Sequence, residues 1–234
     1  MGFAGGVGAF QKMAKTYGVK MPDEQAEAIK EGWRDAHPMT AGKRVTIRRG
    51  EETFEVRTGG LWKDLNEAAK SAVRCPGDKF AAGHPGRGVV YLVVGSFLWG
   101  LLPSGRAICY PSPKLLEGRY GPQLTYMSVP GPDDVRISDP QNSGRWARIA
   151  THGGPLTQNI VSGICRDLLA EAMLQLHDEG YEIALHVHDD VNLECLEAIS
   201  EAVRDRLQVI MNSPPAWAKD FPLTAKPEIG RRYG

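Results

Sequence analysis

The sequence predicts an α+β fold in which an antiparallel sheet is covered by helices on one side. Strand-like runs follow one another from Val89 to Tyr110 with only tight turns between them, so they pair as sequence neighbours. Two further hairpins are legible, one between Ala41 and Thr58 and one between Tyr181 and Cys195. The segments flanking the strands carry apolar residues at helical spacing.

At 234 residues the chain is long enough for one substantial domain, or for a domain with an appended subdomain. Lys and Arg total 28 and Asp and Glu total 28, a balance that excludes a uniformly basic nucleic-acid module and an acidic disordered tail. No stretch has the pattern of a signal peptide and no apolar run reaches the length of a membrane span, so the chain reads as cytoplasmic. Cys75, Cys109, Cys165 and Cys195 form no CxxC pair, which points to reduced thiols rather than a disulfide framework or a zinc ribbon. There is no internal repeat.

The Gly-rich opening (Gly2, Gly5, Gly6, Gly8) runs into helical spacing at Phe10, Met13 and Tyr17, with no capping residue before it. Asp23 after Pro22 leads a helix through Ala26, Ile29 and Trp33, and Pro38 is expected to stop it. Val45 and Ile47, then Phe54 and Val56, alternate about Arg49-Gly50-Glu51 and predict a hairpin. A helix over Leu61 to Val73 is ended by Cys75-Pro76-Gly77. Val89 to Val94, Phe97 to Leu102 and Arg106 to Tyr110 are strands, and Gln123 to Val129 and Arg145 to Thr151 add two more across a polar loop. A long helix spans about Leu156 to His177 and Gly180 terminates it. Strands from Tyr181 to His188 and Val191 to Cys195 enclose a turn at Asp189-Asp190. A helix over Leu196 to Met211, a Pro-rich stop and a short strand near Leu223 to Lys226 follow.

The chemistry concentrates in His186-Val187-His188-Asp189-Asp190. Adjacent carboxylates at a hairpin tip repel each other unless something pairs with them, and hard oxygen ligands for Mg²⁺ explain them. Two other readings stay open on these residues alone. One is a solvated turn with a satisfied histidine. The other is a transition-metal hydrolase using His186 and His188 on one strand face, for which no further ligands are evident.

The stretch Gly153 to Glu194, GGPLTQNIVSGICRDLLAEAML followed after a Gly-ended helix by ALHVHDDVNLE, resembles the carboxyl-terminal polymerase motif of family A, polymerase-I-like DNA polymerases, especially the bacteriophage members. His188-Asp189-Asp190 matches the His-Asp-Glu of that motif. The opening GFAGGVGAF resembles the second half of the family's fingers helix. Pro103-Ser104-Gly105-Arg106, Leu124-Thr125-Tyr126-Met127, Pro222 to Lys226 and Gly230 to Gly234 are similar to the same phage group, while about Lys43 to Thr58 looks inserted.

The resemblance implies a palm-type antiparallel sheet packed on helices with partial fingers helices, divided as residues 1–88 (fingers, with the hairpin at about 43–58) and 89–234 (palm). It implies template-directed nucleotidyl transfer with two Mg²⁺ ions, Mn²⁺ being possible, on primer-template DNA and dNTP. Asp189 and Asp190 would be the metal ligands and His188 would orient the primer terminus. Asn159, Arg166, His152 and Arg106 become candidates for DNA contact, and Gly5 and Gly6 for nucleotide contact. For the two glycines, close approach of a helix or partner is the competing reading, because no strand precedes them.

The family's other metal-binding Asp has no counterpart here, and its triphosphate-binding Arg and Lys fall upstream of Met1. Ser162 and Pro155 stand where phage relatives tend to carry Gln and Lys. The expectation is therefore one half of a split polymerase whose partner chain supplies the rest of the palm and fingers, in the host cytoplasm if the chain is phage-encoded. A truncated piece or a decayed remnant would account for the same gaps. The competing function is a non-catalytic DNA-binding or replisome-interaction protein derived from a polymerase. Charge sharpens the picture, since Arg166 to Ile210 holds 3 basic and 11 acidic residues and the zero net charge is a cancellation.

Overall fold

The structure, a computed structural model, describes residues 5–50, 52–118, 121–131 and 144–232. The closing Tyr233 and Gly234, part of the opening GFAGGVGAF and most of the polar loop before Arg145 lie outside those residues. The chain forms two compact units, one of Met1–Leu102 with Arg106–Ile160 and one of Pro103–Gly105 with Val161–Gly234.

In the first unit, helix α1 (Val7–Thr16) ends where Gly18 turns left-handed, and α2 (Asp23–Ala36) starts after extended Pro22 with acidic residues in its first turn. Pro38 does end α2, but it also opens a one-turn helix, α3 (Pro38–Ala41), because its fixed φ suits a first helical position. The hairpin then follows as β1 (Lys43–Arg49) and β2 (Glu52–Thr58), in unbroken register from Lys43 opposite Thr58 to Arg49 opposite Glu52. Its base is closed by two glycines back to back. A Cβ on Gly60 would lie 2.3 Å from the Gly42 nitrogen, and both have φ near +85°.

Helix α4 (Leu61–Arg74) buries Leu65, Ala68, Ala69 and Ala72. Beside it runs a meander of β3 (Phe80–Ala82), β4 (Val89–Val94), β5 (Phe97–Leu101) and β6 (Ala107–Pro111), and β7 (Lys114–Gly118), β8 (Gly121–Ser128) and β9 (Ala147–Thr151) form a second ladder. The core of this unit holds Tyr91, Leu98, Tyr110, Leu124 and Ile149, all at most 1% exposed. Tyr110 and Tyr126 meet edge to face at 5.1 Å.

The strands are antiparallel as expected, but among the described residues they are shared among four ladders instead of one sheet. The break between β6 and β7 falls at Ser112-Pro113, where Ser112 takes φ +46° and the following Pro offers no amide to a neighbour. The sequence signal missed β3 and β7. The first is three residues long, and the second, Lys-Leu-Leu-Glu-Gly, has neither β-branched residues nor alternation.

Helix α5 (Gly153–Asp178) starts three residues before its first strongly apolar position. His152 explains the early start: its Nδ1 accepts the Gly154 amide at 3.1 Å, as a helix cap does. In the second unit α5 ends at Gly180, φ +83°, with the Tyr181 amide bonded to the Leu176 carbonyl. Strands β10 (Glu182–Val187) and β11 (Asp190–Glu194) follow, then a 3₁₀ turn Glu197–Ile199 and α6 (Ser200–Met211).

The expected strand near Leu223 to Lys226 does not form. The Asn212 side chain takes the place of a strand partner there, its Oδ1 accepting the Ala225 amide at 2.5 Å while its Nδ2 donates to the Ala225 carbonyl at 3.4 Å. Among the described residues no helix is long and apolar enough to cross a membrane.

Candidate active site at a hairpin tip

The hairpin β10–β11 is built by pattern. Ile183, Val191 and Leu193 are its half-buried apolar positions, and the register pairs Ile183 with Leu193, His186 with Val191 and Val187 with Asp190. A bulge at Ala184 lets Ile183 face Leu193, so one strand spends an extra residue without moving its apolar set to the other face. The turn therefore consists of His188 and Asp189, one residue earlier than the expected Asp189-Asp190. Pairing of Val187 with Asp190 makes the second Asp the first residue of β11.

His188 carries φ +55°. A two-residue hairpin loop needs a left-handed first position, normally a glycine, and a side chain there stores strain. His188, Asp189 and Asp190 are all exposed. The tip thus presents two adjacent carboxylates and an imidazole to solvent on a backbone held by the ladder. Because His188 sits in the turn, the alternation that would place it beside His186 stops at Val187. That removes the geometric basis of the hydrolase reading. Among the described residues no three His, Cys, Asp or Glu side chains gather where they could hold a metal ion.

The hairpin's other face is unusual. Leu185 and Val187 are 37% and 39% exposed, and the Nδ2 of Asn192, which pairs with Leu185 on that face, is buried without a hydrogen-bond partner among the described residues. Buried donors are normally satisfied, so this amide is an exception.

The remaining candidates fall into different settings. Arg166, in the second unit, is exposed on α5 with its guanidinium 4.0 Å from the Met173 sulfur. Asn159, His152, Arg106, Gly5 and Gly6 belong to the first unit. Asn159 donates from Nδ2 to the Tyr110 hydroxyl at 3.2 Å, and burial pushes that hydroxyl up to about 12. The amide is thus committed to a neutral, buried phenol. His152 is the α5 cap just described, and Arg106 is exposed immediately before β6. Gly6 caps α1 in extended conformation, and a Cβ there would meet nothing within 4 Å.

Sequence reasoning missed three devices. Ser104 Oγ donates to the buried Asp167 carboxylate at 2.5 Å, anchoring the Pro103–Gly105 turn to α5 within the second unit. Gly153 lies so close to α4 that a Cβ would fall 1.9 Å from the Trp62 carbonyl oxygen. The third concerns the inserted hairpin. Arg44 and Arg57 are taken up by carboxylates of α2, Arg57 reaching Glu31 at 2.8 Å and Asp35 at 2.6 Å and Arg44 reaching Asp35 at 3.0 Å. The Arg57 hydrogen bond holds the Asp35 carboxyl below its ordinary range. On the same hairpin Lys43 and Arg48 are exposed. Trp33 is packed, stacking on His37 at 4.2 Å and on Trp62 at 6.0 Å.

No protein-family model matches the chain, and no solved structure matches it. Over 227 residues, 96% of its length, the chain is 33% identical to a protein named DNA polymerase from Bacillus phage SP02. It spans only 30% of that relative. The chain is therefore related in sequence, almost end to end, to a portion of a DNA polymerase.

Proposed function

We propose that this chain is the carboxyl-terminal, palm-bearing portion of a template-directed DNA polymerase of the polymerase-I-like type, with Asp189 and Asp190 as its share of a two-metal nucleotidyl-transfer site. The observation that carries the reading is the exposed carboxylate pair at the tip of the β10–β11 hairpin, Asp189 in its turn and Asp190 at the start of β11, in a chain matched over 96% of its length to a polymerase portion. Two adjacent carboxylates at a hairpin tip suit Mg²⁺, which takes one or two protein oxygens beside substrate phosphates. They are too few for a pair of ions, so a further Asp must come from another polypeptide segment, together with the triphosphate-binding Arg and Lys.

Bound Mg²⁺ or Mn²⁺ would supply charge neutralisation at the transferring phosphoryl group. The chain's own residues would do the positioning: Asp189 from the turn, Asp190 from the strand, and His188 held over the tip by its left-handed backbone beside the primer terminus. The exposed face of Leu185, Val187 and Asn192 would receive the missing segment, since a lone two-stranded hairpin is marginal and a third strand would cover the apolar pair.

The test mixes the chain with a polypeptide carrying the remaining polymerase motifs and measures Mg²⁺-dependent primer extension. The mixture should extend a primer and its Asp189→Ala version should not. Extension by the isolated chain would sink the need for a second polypeptide. DNA binding without extension, indifferent to Mg²⁺ and to Asp189→Ala, would favour a non-catalytic DNA-binding protein.

A further inference from the structure

The ladder β7–β8–β9 buries one face and leaves the other part-exposed, with Thr125 buried at its centre and Lys114 and Leu116 exposed at its edge. Directly paired residues share a face, and the register pairs Lys114 with Thr125, Leu116 with Gln123, Thr125 with Ala150 and Met127 with Arg148. This set lies opposite Leu124, Tyr126 and Ile149, which are buried. The same alternation carries on past the ladder to Val129 and Trp146, 56% and 59% exposed, and Leu116 is 45% exposed. Two cations, Lys114 and Arg148, lie among these residues, and none of the described residues that the three strands place on this face is acidic.

The face is also stiff. Arg148 Nη1 donates to the Ser112 carbonyl at 2.9 Å and to Thr125 Oγ1 at 3.2 Å, and Thr125 Oγ1 donates to the Lys114 carbonyl at 3.1 Å. All three strands are cross-linked beneath the surface, and the Arg148 contact holds the strained Ser112 junction in place. The other guanidinium donors of Arg148 have no protein partner among the described residues.

An exposed tryptophan just past a strand face that carries aliphatic residues and two cations, with no carboxylate among the described residues the strands place there, matches a polyanion that also offers flat aromatic faces. A duplex hides its base faces by stacking, whereas a single strand exposes them. We propose that this sheet face is a docking platform for single-stranded nucleic acid, with Trp146 stacking on a base and Lys114 and Arg148 taking the flanking phosphates. The identification of the occupant as unpaired template rests on the polymerase reading.

The experiment measures anisotropy of a labelled oligo(dT) of about 12 nucleotides, a length within the usual range of such sites, and of a blunt duplex, against the full chain in EDTA. The chain should bind the single strand more tightly than the duplex, with affinity falling as salt rises. Trp146→Ala should lose about tenfold in affinity and Trp146→Phe should keep most of it, because stacking needs only an aromatic ring. Lys114→Glu should weaken binding several-fold and flatten the salt dependence.

Unchanged binding by both Trp146→Ala and Lys114→Glu would overturn the proposal, as would equal affinity for duplex. Chelation removes Asp189 and Asp190 from the measurement. An indifferent Trp146 in a mixture that still extends primers refutes the platform alone, and Trp146-dependent binding without extension refutes the polymerase reading alone.

Discussion

Asp190 pairs directly with Val187 across the mouth of the β10–β11 turn, leaving Asp189 inside the turn next to His188. Two carboxylates adjacent in sequence thus stand on different backbone: one in a two-residue loop, one fixed by the ladder. Replacing Asp189 by Ala should reduce Mg²⁺-dependent extension by the assembled polymerase at least about a hundredfold, the scale of losing an electrostatic group at the reacting centre. Asp190→Glu, the residue that the resembling motif carries, should retain activity. Circular dichroism should be unchanged in both, since both side chains are exposed. An Asp189→Ala protein with full activity would remove the tip from the mechanism.

His188 holds a left-handed backbone that costs a side chain about 1 kcal/mol. His188→Gly should therefore melt no lower than the parent, and up to about 1 kcal/mol more stable once the glycine's extra unfolded-state entropy is set against the relief. Primer extension should fall at the same time. A thermal melt beside a rate measurement checks both, and a clear loss of stability would show that the imidazole packs rather than serves.

Gly153 sits where any Cβ would strike the Trp62 carbonyl, so Gly153→Ala should destabilise the first unit by at least about 2 kcal/mol through a forced shift between α4 and α5. Gly8→Ala is the contrast. Its Cβ would meet nothing within 4 Å in the first turn of α1, and the exchange should stabilise by up to about 0.5 kcal/mol. Denaturant titration of the two variants should move their midpoints in opposite directions.

Arg206 bonds the Glu179 carboxylate through two donors, and with help from Gln175 it holds that carboxyl at about 2. The folded value lies below the unfolded one near 4.5. The pair's contribution is therefore present above pH 4.5 and lost as pH falls toward 2. Glu179→Gln should lower the melting temperature at pH 7 and have little effect near pH 2. Because the pair is exposed, the difference at pH 7 should shrink in high salt.

Most of the elements follow from residue order alone. Periodicity located α2, α4, α5 and the hairpin over 43–58, because each repeats its apolar residues at one period over many positions. The acidic pair stood out because repelling charges on one turn require a partner. Whatever depends on distance between residues remote in sequence emerged only in the folded chain. The turn moved to His188-Asp189 because strand pairing and the Ala184 bulge, not local composition, set the register. Asn159 proved committed to Tyr110, 49 residues away. The Leu223 segment had the residues of a strand but no backbone neighbour, so Asn212 took that place. The open face carrying Trp146 could not be read from alternation alone. A strand pattern shows that two faces differ, and only packing against Tyr110 and its neighbours shows which of them is covered.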